Sequence, residues 1–244
     1  MRNEISVIIQ GPIDDRTYEA IDQYQDFSKV IVSTWEDQDI DLLRKATGAF
    51  EVAISKYPPL EVSITYCQAA TTFAGCLLAE TDYVMKTRSD ELYPDLDAIL
   101  NNLKDHPDRS HTTNNGFWKQ FPHCYSNHLF IDRREYVMDA MKELAEYHLN
   151  NDNYLNFAAA ESEFGYFLMK QRGIILNNEN WREKLSKNVY ITPCVHLKGH
   201  LHSGATTHHA GFSRSDLPYP QGRTEVGEGK HDEKKLYHSH EDIA

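Results

Sequence analysis

The segment Asp82-Tyr83-Val84-Met85-Lys86-Thr87-Arg88-Ser89-Asp90-Glu91 sets two cations and an acid at every second position. If a strand runs through it, Lys86, Arg88 and Asp90 project to one side with period two. That places them at the carboxyl end of a strand, where open α/β sheets bind their ligands. Lys86 and Arg88 would suit a diphosphate and Asp90 a divalent metal such as Mn or Mg. An ion-pair ladder that only ties the strand is the alternative. A second acidic patch, Ala160-Glu161-Ser162-Glu163-Phe164-Gly165, opens a helix. At about 100° per residue Glu161 falls beside Phe164, Gly165 and Leu168, whereas Glu163 is angled toward Lys170 and solvent. Glu161 is then the inward carboxylate, at a helix terminus whose partial positive charge favours its ionised form. Ordinary first-turn helix acids would give the same pattern.

Two further groups carry chemistry-bearing types. His196, His200, His202, His208 and His209 crowd a short stretch near the end. The spacing of His196 and His200 would suit a metal on a helix, but Gly199 and Gly204 argue against a helix, and surface or phosphate-facing histidines are the other reading. Trp118, Phe121, His123, Tyr125 and Asn127 form an aromatic-polar stretch that could stack on a sugar, or simply tuck under a lid.

The elements that must position these residues alternate. The β-branched run 5–9 stops at Gln10-Gly11-Pro12, as a buried parallel strand does at a ligand-facing turn. Ala20, Ile21, Tyr24 and Phe27 follow at helical spacing, then a second apolar run, 30–32, ends at Ser33-Thr34-Trp35-Glu36. This is a βαβ unit. Helical spacing over 40–46, a third strand at 50–54, a buried helix at 66–80 and a fourth strand at 83–87 continue the alternation. An α/β domain with a mainly parallel sheet flanked by helices is the expectation. The second half is less regular: a strand at 129–131, a helix marked by Val137, Met141, Leu144 and His148, another marked by Phe164, Phe167, Leu168 and Gln171 with Gly173 as its C-cap, and one or two short strands at 188–195. The polar stretch 221–244 offers little to bury and reads as a tail. The expected division is one domain over 1–220, with halves 1–92 and 93–220, followed by the tail.

The chain has 244 residues, 40% of them hydrophobic, enough for a full core. Its 25 Lys and Arg against 37 Asp and Glu leave a formal charge of -12, which argues against a nucleic-acid partner. No apolar run is long enough to span a bilayer, and the opening lacks the apolar core of a signal peptide; a cytoplasmic address is the expectation. Cys67, Cys76, Cys124 and Cys194 form no C-x-x-C pair, so neither a zinc ribbon nor a disulfide framework is indicated, and they read as reduced, mostly buried thiols.

Ile5-Ser6-Val7-Ile8-Ile9-Gln10-Gly11-Pro12, then Ile31-Val32-Ser33-Thr34-Trp35, then Gln68, Thr71-Thr72 and Gly75 on one helix, then Lys86-Thr87-Arg88-Ser89-Asp90, together resemble the WavE family of lipopolysaccharide-synthesis proteins. These are glycosyltransferases similar to the GT-A nucleotide-sugar fold. The resemblance covers residues 4–92 and fades beyond. It implies a GT-A-like fold and a nucleotide-diphosphate-sugar donor across the first strand ends, with Gln10, Gly11 and Pro12 on the nucleotide and Thr34 and Glu36 near base or ribose. It implies a saccharide acceptor. Where the fold carries an Asp-x-Asp motif, this chain reads Arg88-Ser89-Asp90, so only the second acid is present, and Arg88 could take part of the charge a metal otherwise handles. The segment from Glu161 to Gly173 resembles the acidic helix start of inverting GT-A enzymes, which implies Glu161 as the base, with Ser162 where their usual Asp sits. His196, in His196-x-x-Gly199-His200, resembles the C-terminal metal-ligand histidine of some metal-dependent GT-A enzymes. A metal-dependent phosphohydrolase using Asp90, Asp95 and the histidines, and a non-catalytic sugar-nucleotide or glycan-binding module, are the competing readings.

Overall fold

A computed structural model of the chain describes residues 1–14, 16–58, 62–114, 122–150, 157, 159–177, 179–193 and 197. The apolar runs of the first half become strands β1 (Ile5–Gln10), β2 (Lys29–Trp35), β3 (Glu51–Ser55) and β4 (Tyr83–Arg88). Between them lie α1 (Thr17–Gln23), a 3-10 helix at Ile40–Lys45, and α2 (Ile64–Leu78). The second half adds α3 (Asp97–Asp105), β5 (Ser110–Thr113), β6 (Phe130–Arg133), α4 (Arg134–Leu149), α5 (Ala160–Gln171), α6 (Trp181–Asn188) and β7 (Val189–Thr192). The 221–244 stretch lies outside the described residues.

The strands form one seven-stranded sheet in the order β3-β2-β1-β4-β6-β5-β7. β1, β2, β3 and β4 are parallel, β6 runs antiparallel to both its neighbours, and β7 is parallel to β5. This is the mainly parallel α/β architecture expected from sequence. Because β1 leads outward to β2 and β3 while α2 carries the chain back to β4 on the other side of β1, the strand order reverses between β1 and β4. Open α/β sheets bind ligands in the crevice outside such a reversal.

Side chains alternate across the sheet into two apolar layers. Ile8, Ile31, Val84 and Phe130 pack with α2, α4, α5 and α6; Val7, Ile9, Val32, Met85 and Ile131 pack with α1 and α3. β1 is buried along its whole length, so it reads as a continuous apolar run rather than an alternating one. β5 escapes sequence patterning because it reads Ser-His-Thr-Thr yet is buried throughout. Its hydroxyls are satisfied internally: Ser110 Oγ lies 2.7 Å from Tyr125 Oη, and Thr112 Oγ1 donates to the Leu129 carbonyl at 3.0 Å.

Two glycines act as expected or necessary hinges of the packing. Gly173 ends α5 with φ +73° and donates to the Lys170 carbonyl at 2.9 Å, the left-handed cap its position predicts. Gly165, inside α5, leaves no space for a side chain: a Cβ would lie 1.9 Å from the His123 carbonyl oxygen and 2.9 Å from Tyr125 Cβ. The Tyr125 amide also donates to the Glu161 carbonyl at 3.0 Å. α5 is therefore seated against the backbone of 123–125, and this contact fixes where Glu161 emerges. Gly165→Ala is expected to cost about 1–3 kcal/mol by overpacking. A urea titration checks this; a loss under about 0.5 kcal/mol would show that the segment yields freely.

Candidate functional site

The carboxyl ends of β1 and β4 are laced together. Gln10 pairs in register with Arg88, and the Ser89 amide donates to the Gln10 carbonyl at 3.0 Å. The Gly11 amide donates across to the Ser33 carbonyl at 3.1 Å. Gly11 has φ +138°, and a Cβ there would stand 2.5 Å from Ser89 Oγ, so glycine is what allows the two strand ends to touch. Ser89 Oγ and, one strand out, Thr34 Oγ1 are buried hydroxyls with no hydrogen-bond partner among the described residues. Orphaned buried hydroxyls at a strand end suit a ligand's acceptors or ordered water.

The structure corrects one feature of the β4 reading. The strand ends at Arg88, and Asp90 lies in the following turn instead of continuing the period-two row. Asp90 folds back so that Arg88 grips it with both arms, Nε to Oδ1 at 2.8 Å and Nη2 to Oδ2 at 2.6 Å. Arg88 Nε is also 3.4 Å from Glu91 Oε1. Burial works to raise the Asp90 carboxyl, but the Arg88 hydrogen bonds and charge outweigh it and hold the group below the usual carboxylate range. Burial likewise opposes the Arg88 charge, and the bonds to Asp90 and the charge of Glu91 reverse that effect and raise it.

Glu91 and His128 are site residues that sequence reasoning missed. The Glu91 side chain is 1% exposed and accepts from Tyr93 Oη at 2.7 Å and from His128 Nδ1 at 2.5 Å. Burial pushes His128 down, more than the adjacent Glu91 carboxylate pulls it up. The available signal was Glu91 three residues beyond Arg88; nothing local tied His128 to it.

Lys86 is fully buried on the α2 face of β4, paired in register with Ile8. Its Nζ donates to the Asn127 carbonyl, and Asn127 Nδ2 donates to Gln68 Oε1 of α2 at 2.9 Å. Burial, aided by Arg88, pulls the Lys86 ammonium down to about 7, against the charges of Glu91, Asp90 and Glu161. The unfolded lysine keeps its proton up to about 10.5. The unfolded state therefore binds more protons between those values, and this group's contribution makes stability rise with pH there. Relative to Lys86→Met, the wild type is expected to gain about 2 kcal/mol between pH 6.5 and 9. Urea unfolding of both proteins at the two pH values measures it; a flat difference would mean that the lysine keeps its proton in the fold.

Glu161 reaches the same corner from α5. It is partly buried, and burial raises its carboxyl, countered by its own backbone amide and by the charges of Arg88 and Lys86. Glu163 differs from expectation: its Oε2 accepts from His148 Nε2 at 3.0 Å, while Lys170 pairs with Glu143. α4 covers the face of α5 that a lone helix would show to solvent. Ser162 is buried, and its hydroxyl has no partner among the described residues.

The remaining candidates separate. Gln10 pairs with Arg88 and Gly11 lies against Ser89; Thr34 is buried in β2 and Glu36 exposed just beyond it. Glu36 donates its amide to the Ser55 carbonyl at 2.9 Å, and next to it Trp35 stacks on Tyr57 with ring centroids 4.4 Å apart. Tyr125 is fully buried in the core, so it cannot stack on a sugar. Asp95, offered for the phosphohydrolase reading, accepts from the Asp97 amide at the head of α3 at 3.1 Å. His196, the other late histidines, Trp118 and Phe121 lie outside the described residues. Cys67, Cys76 and Cys124 are free thiols.

A resident divalent ion does not fit the described residues. Both Asp90 oxygens are taken by Arg88, both Glu91 oxygens by Tyr93 and His128, and no group of three or more His, Cys, Asp or Glu among the described residues is arranged to hold a metal. No helix among them is long and apolar enough to cross a membrane.

The fold and this corner define a class: an α/β protein with a charged, hydrogen-bonded cluster where the strand order of its sheet reverses. No family model and no curated protein matches the chain. Among solved structures it is similar to the crystal structure of HddC from Yersinia pseudotuberculosis, with a TM-score of 0.37 and 12% identity, over 55% of this chain and 79% of that one. Similarity of that degree carries no functional argument.

Proposed function

We propose that the chain is a GT-A-like glycosyltransferase, as the WavE resemblance implies, moving a sugar from a nucleotide-diphosphate donor to a saccharide hydroxyl. The observation that carries the reading is the pairing of Gln10, which opens the Gln10-Gly11-Pro12 turn, with Arg88 at the end of β4 where the sheet reverses, with Lys86 buried two residues earlier and Glu161 of α5 near enough to feel both charges. A diphosphate seated over the β1 and β4 ends faces Arg88 and, behind it, Lys86. With Nε and one Nη2 proton of Arg88 committed to Asp90, its Nη1 protons and second Nη2 proton are what it can turn to phosphate oxygens, and an incoming anion favours the protonated form of Lys86. The leaving diphosphate is then stabilised as negative charge develops on it.

Glu161 supplies the other half of the reaction. As the acceptor oxygen attacks the anomeric carbon, its proton passes to the Glu161 carboxylate while the bond to the diphosphate breaks. A carboxyl lifted by burial is a stronger base than an exposed one, and closer to neutral pH, which is what general-base catalysis asks of it. Asp90, through its two hydrogen bonds, and Glu91, through its ion pair, hold Arg88 in place.

The test is a panel of UDP-, GDP-, CMP- and dTDP-linked sugars, scored for donor hydrolysis and for transfer to saccharides with and without manganese. Turnover of a UDP-, GDP- or dTDP-linked donor supports the reading, turnover of the CMP-linked donor alone contradicts its diphosphate, and the manganese arm shows whether an ion arrives with the donor. Inertness toward all of them, in both arms, overturns it.

A further inference from the structure

Away from the β1/β4 crevice, three side chains from three helices form a continuous hydrogen-bond relay. Ser63 is the N-cap of α2 and exposed. Its Oγ lies 3.1 Å from His148 Nδ1, near the end of α4, and His148 Nε2 lies 3.0 Å from Glu163 Oε2 in the first turn of α5. A carboxylate only accepts, so Nε2 carries a proton, and in the neutral imidazole Nδ1 accepts from the serine hydroxyl. Ser63 Oγ also accepts from the Tyr66 amide at 3.0 Å, which holds the oxygen in place.

We propose that Ser63 is a nucleophile for acyl groups, with His148 as its base and Glu163 as the residue that positions the imidazole. A hydroxyl within hydrogen-bond reach of a base that is itself oriented by a third group is the arrangement that activates serine. Exposure is divided as such a site requires: Ser63 faces solvent, while the side chains of His148 and Glu163 are 7% and 15% exposed. A structural tie alone would not need its serine end to be open.

The chemistry balances with a carboxylic ester and water. Ser63 Oγ bonds to the ester carbonyl carbon, and its proton moves to His148 Nδ1. The carbon–oxygen bond to the alcohol breaks as that alcohol takes the proton from Nδ1. Water then attacks the acyl-serine, gives its proton to Nδ1, and releases the acid as Ser63 recovers a proton. The negative charge that develops on the carbonyl oxygen lies near the head of α2, whose first amides have no partner within the helix. The imidazolium is balanced by Glu163.

This proposal does not depend on the transferase reading, and its test uses neither donor nor acceptor. The full chain is treated with a fluorophosphonate reporter, which forms a phosphorus–oxygen bond to an activated serine as fluoride leaves. The expected result is one adduct, on Ser63. Ser63→Asn keeps an N-cap acceptor for Tyr66 and is expected to abolish labelling, while His148→Gln and Glu163→Gln slow it at least about tenfold. Glu163→Asp should recover part of the rate lost in Glu163→Gln, an outcome that a packing role would not produce. Circular dichroism of each variant confirms the fold; if His148→Gln unfolds, the Glu163 pair decides. No adduct on the wild type, or unchanged labelling in the folded His148 or Glu163 variants, overturns the proposal.

Discussion

Arg88→Ala is expected to destabilise the chain by about 3–5 kcal/mol and to abolish donor binding. The figure is that of removing one partner from a buried ion pair, which strands the other charge. Arg88 and Asp90 are 15% and 17% exposed, and Glu91, the third member, is 1% exposed. The sign of the pH dependence is fixed by the same geometry. With the guanidinium gone, burial, joined by the Glu91 charge, raises the Asp90 carboxyl, so the folded variant binds more protons than the unfolded chain. Its stability deficit should therefore be smaller at pH 5 than at pH 8. Urea unfolding at both values measures this, and a loss under about 1 kcal/mol at each would show that the pair is loosely held.

Glu161→Gln is expected to lower sugar transfer by roughly 10²–10⁴-fold while leaving donor affinity within about twofold. Glutamine fills the same space and keeps an oxygen toward solvent, but it cannot take the acceptor's proton. Because burial raises the carboxyl, the acidic limb of the wild-type rate profile should fall above the pH at which an ordinary glutamate titrates. The variant should lose that limb. Full transfer activity in Glu161→Gln would mean that no base comes from α5 and would favour a retaining reaction.

The first half was legible because its elements are built from contiguous apolar runs. β1, β2 and β4 are buried strands, and the turns after β1 and β4 are marked by Gly11 and by Ser89-Asp90. The sheet's second half was not, for a definite reason: β5 is polar and buried, its hydroxyls answered by Tyr125 and Leu129, so no alternation of apolar residues announces it. α3 and α6 are short and mostly polar, with three and two buried residues respectively, too few to stand out as a stripe.

The site divides along the same line. Lys86 and Arg88 are visible because two cations in an apolar run are conspicuous. The Arg88–Asp90 fork depends on where β4 stops, and Glu163 with His148 depends on α4 packing against α5. Glu91 with His128 joins residues whose partnership no local pattern encodes. Long-range register made these pairs, and the sequence carries it only through the fold as a whole.

The central claim is that a nucleoside diphosphate seats where β1 and β4 end. Hydrogen exchange followed residue by residue, with and without the nucleoside diphosphate of the donor that turns over, tests it directly. The account predicts slowed exchange at the amides of Gly11, Ser89, Asp90 and Glu91, and no comparable change along β7 or α6. Protection confined to other elements, or none at a saturating concentration of the nucleotide, would contradict it.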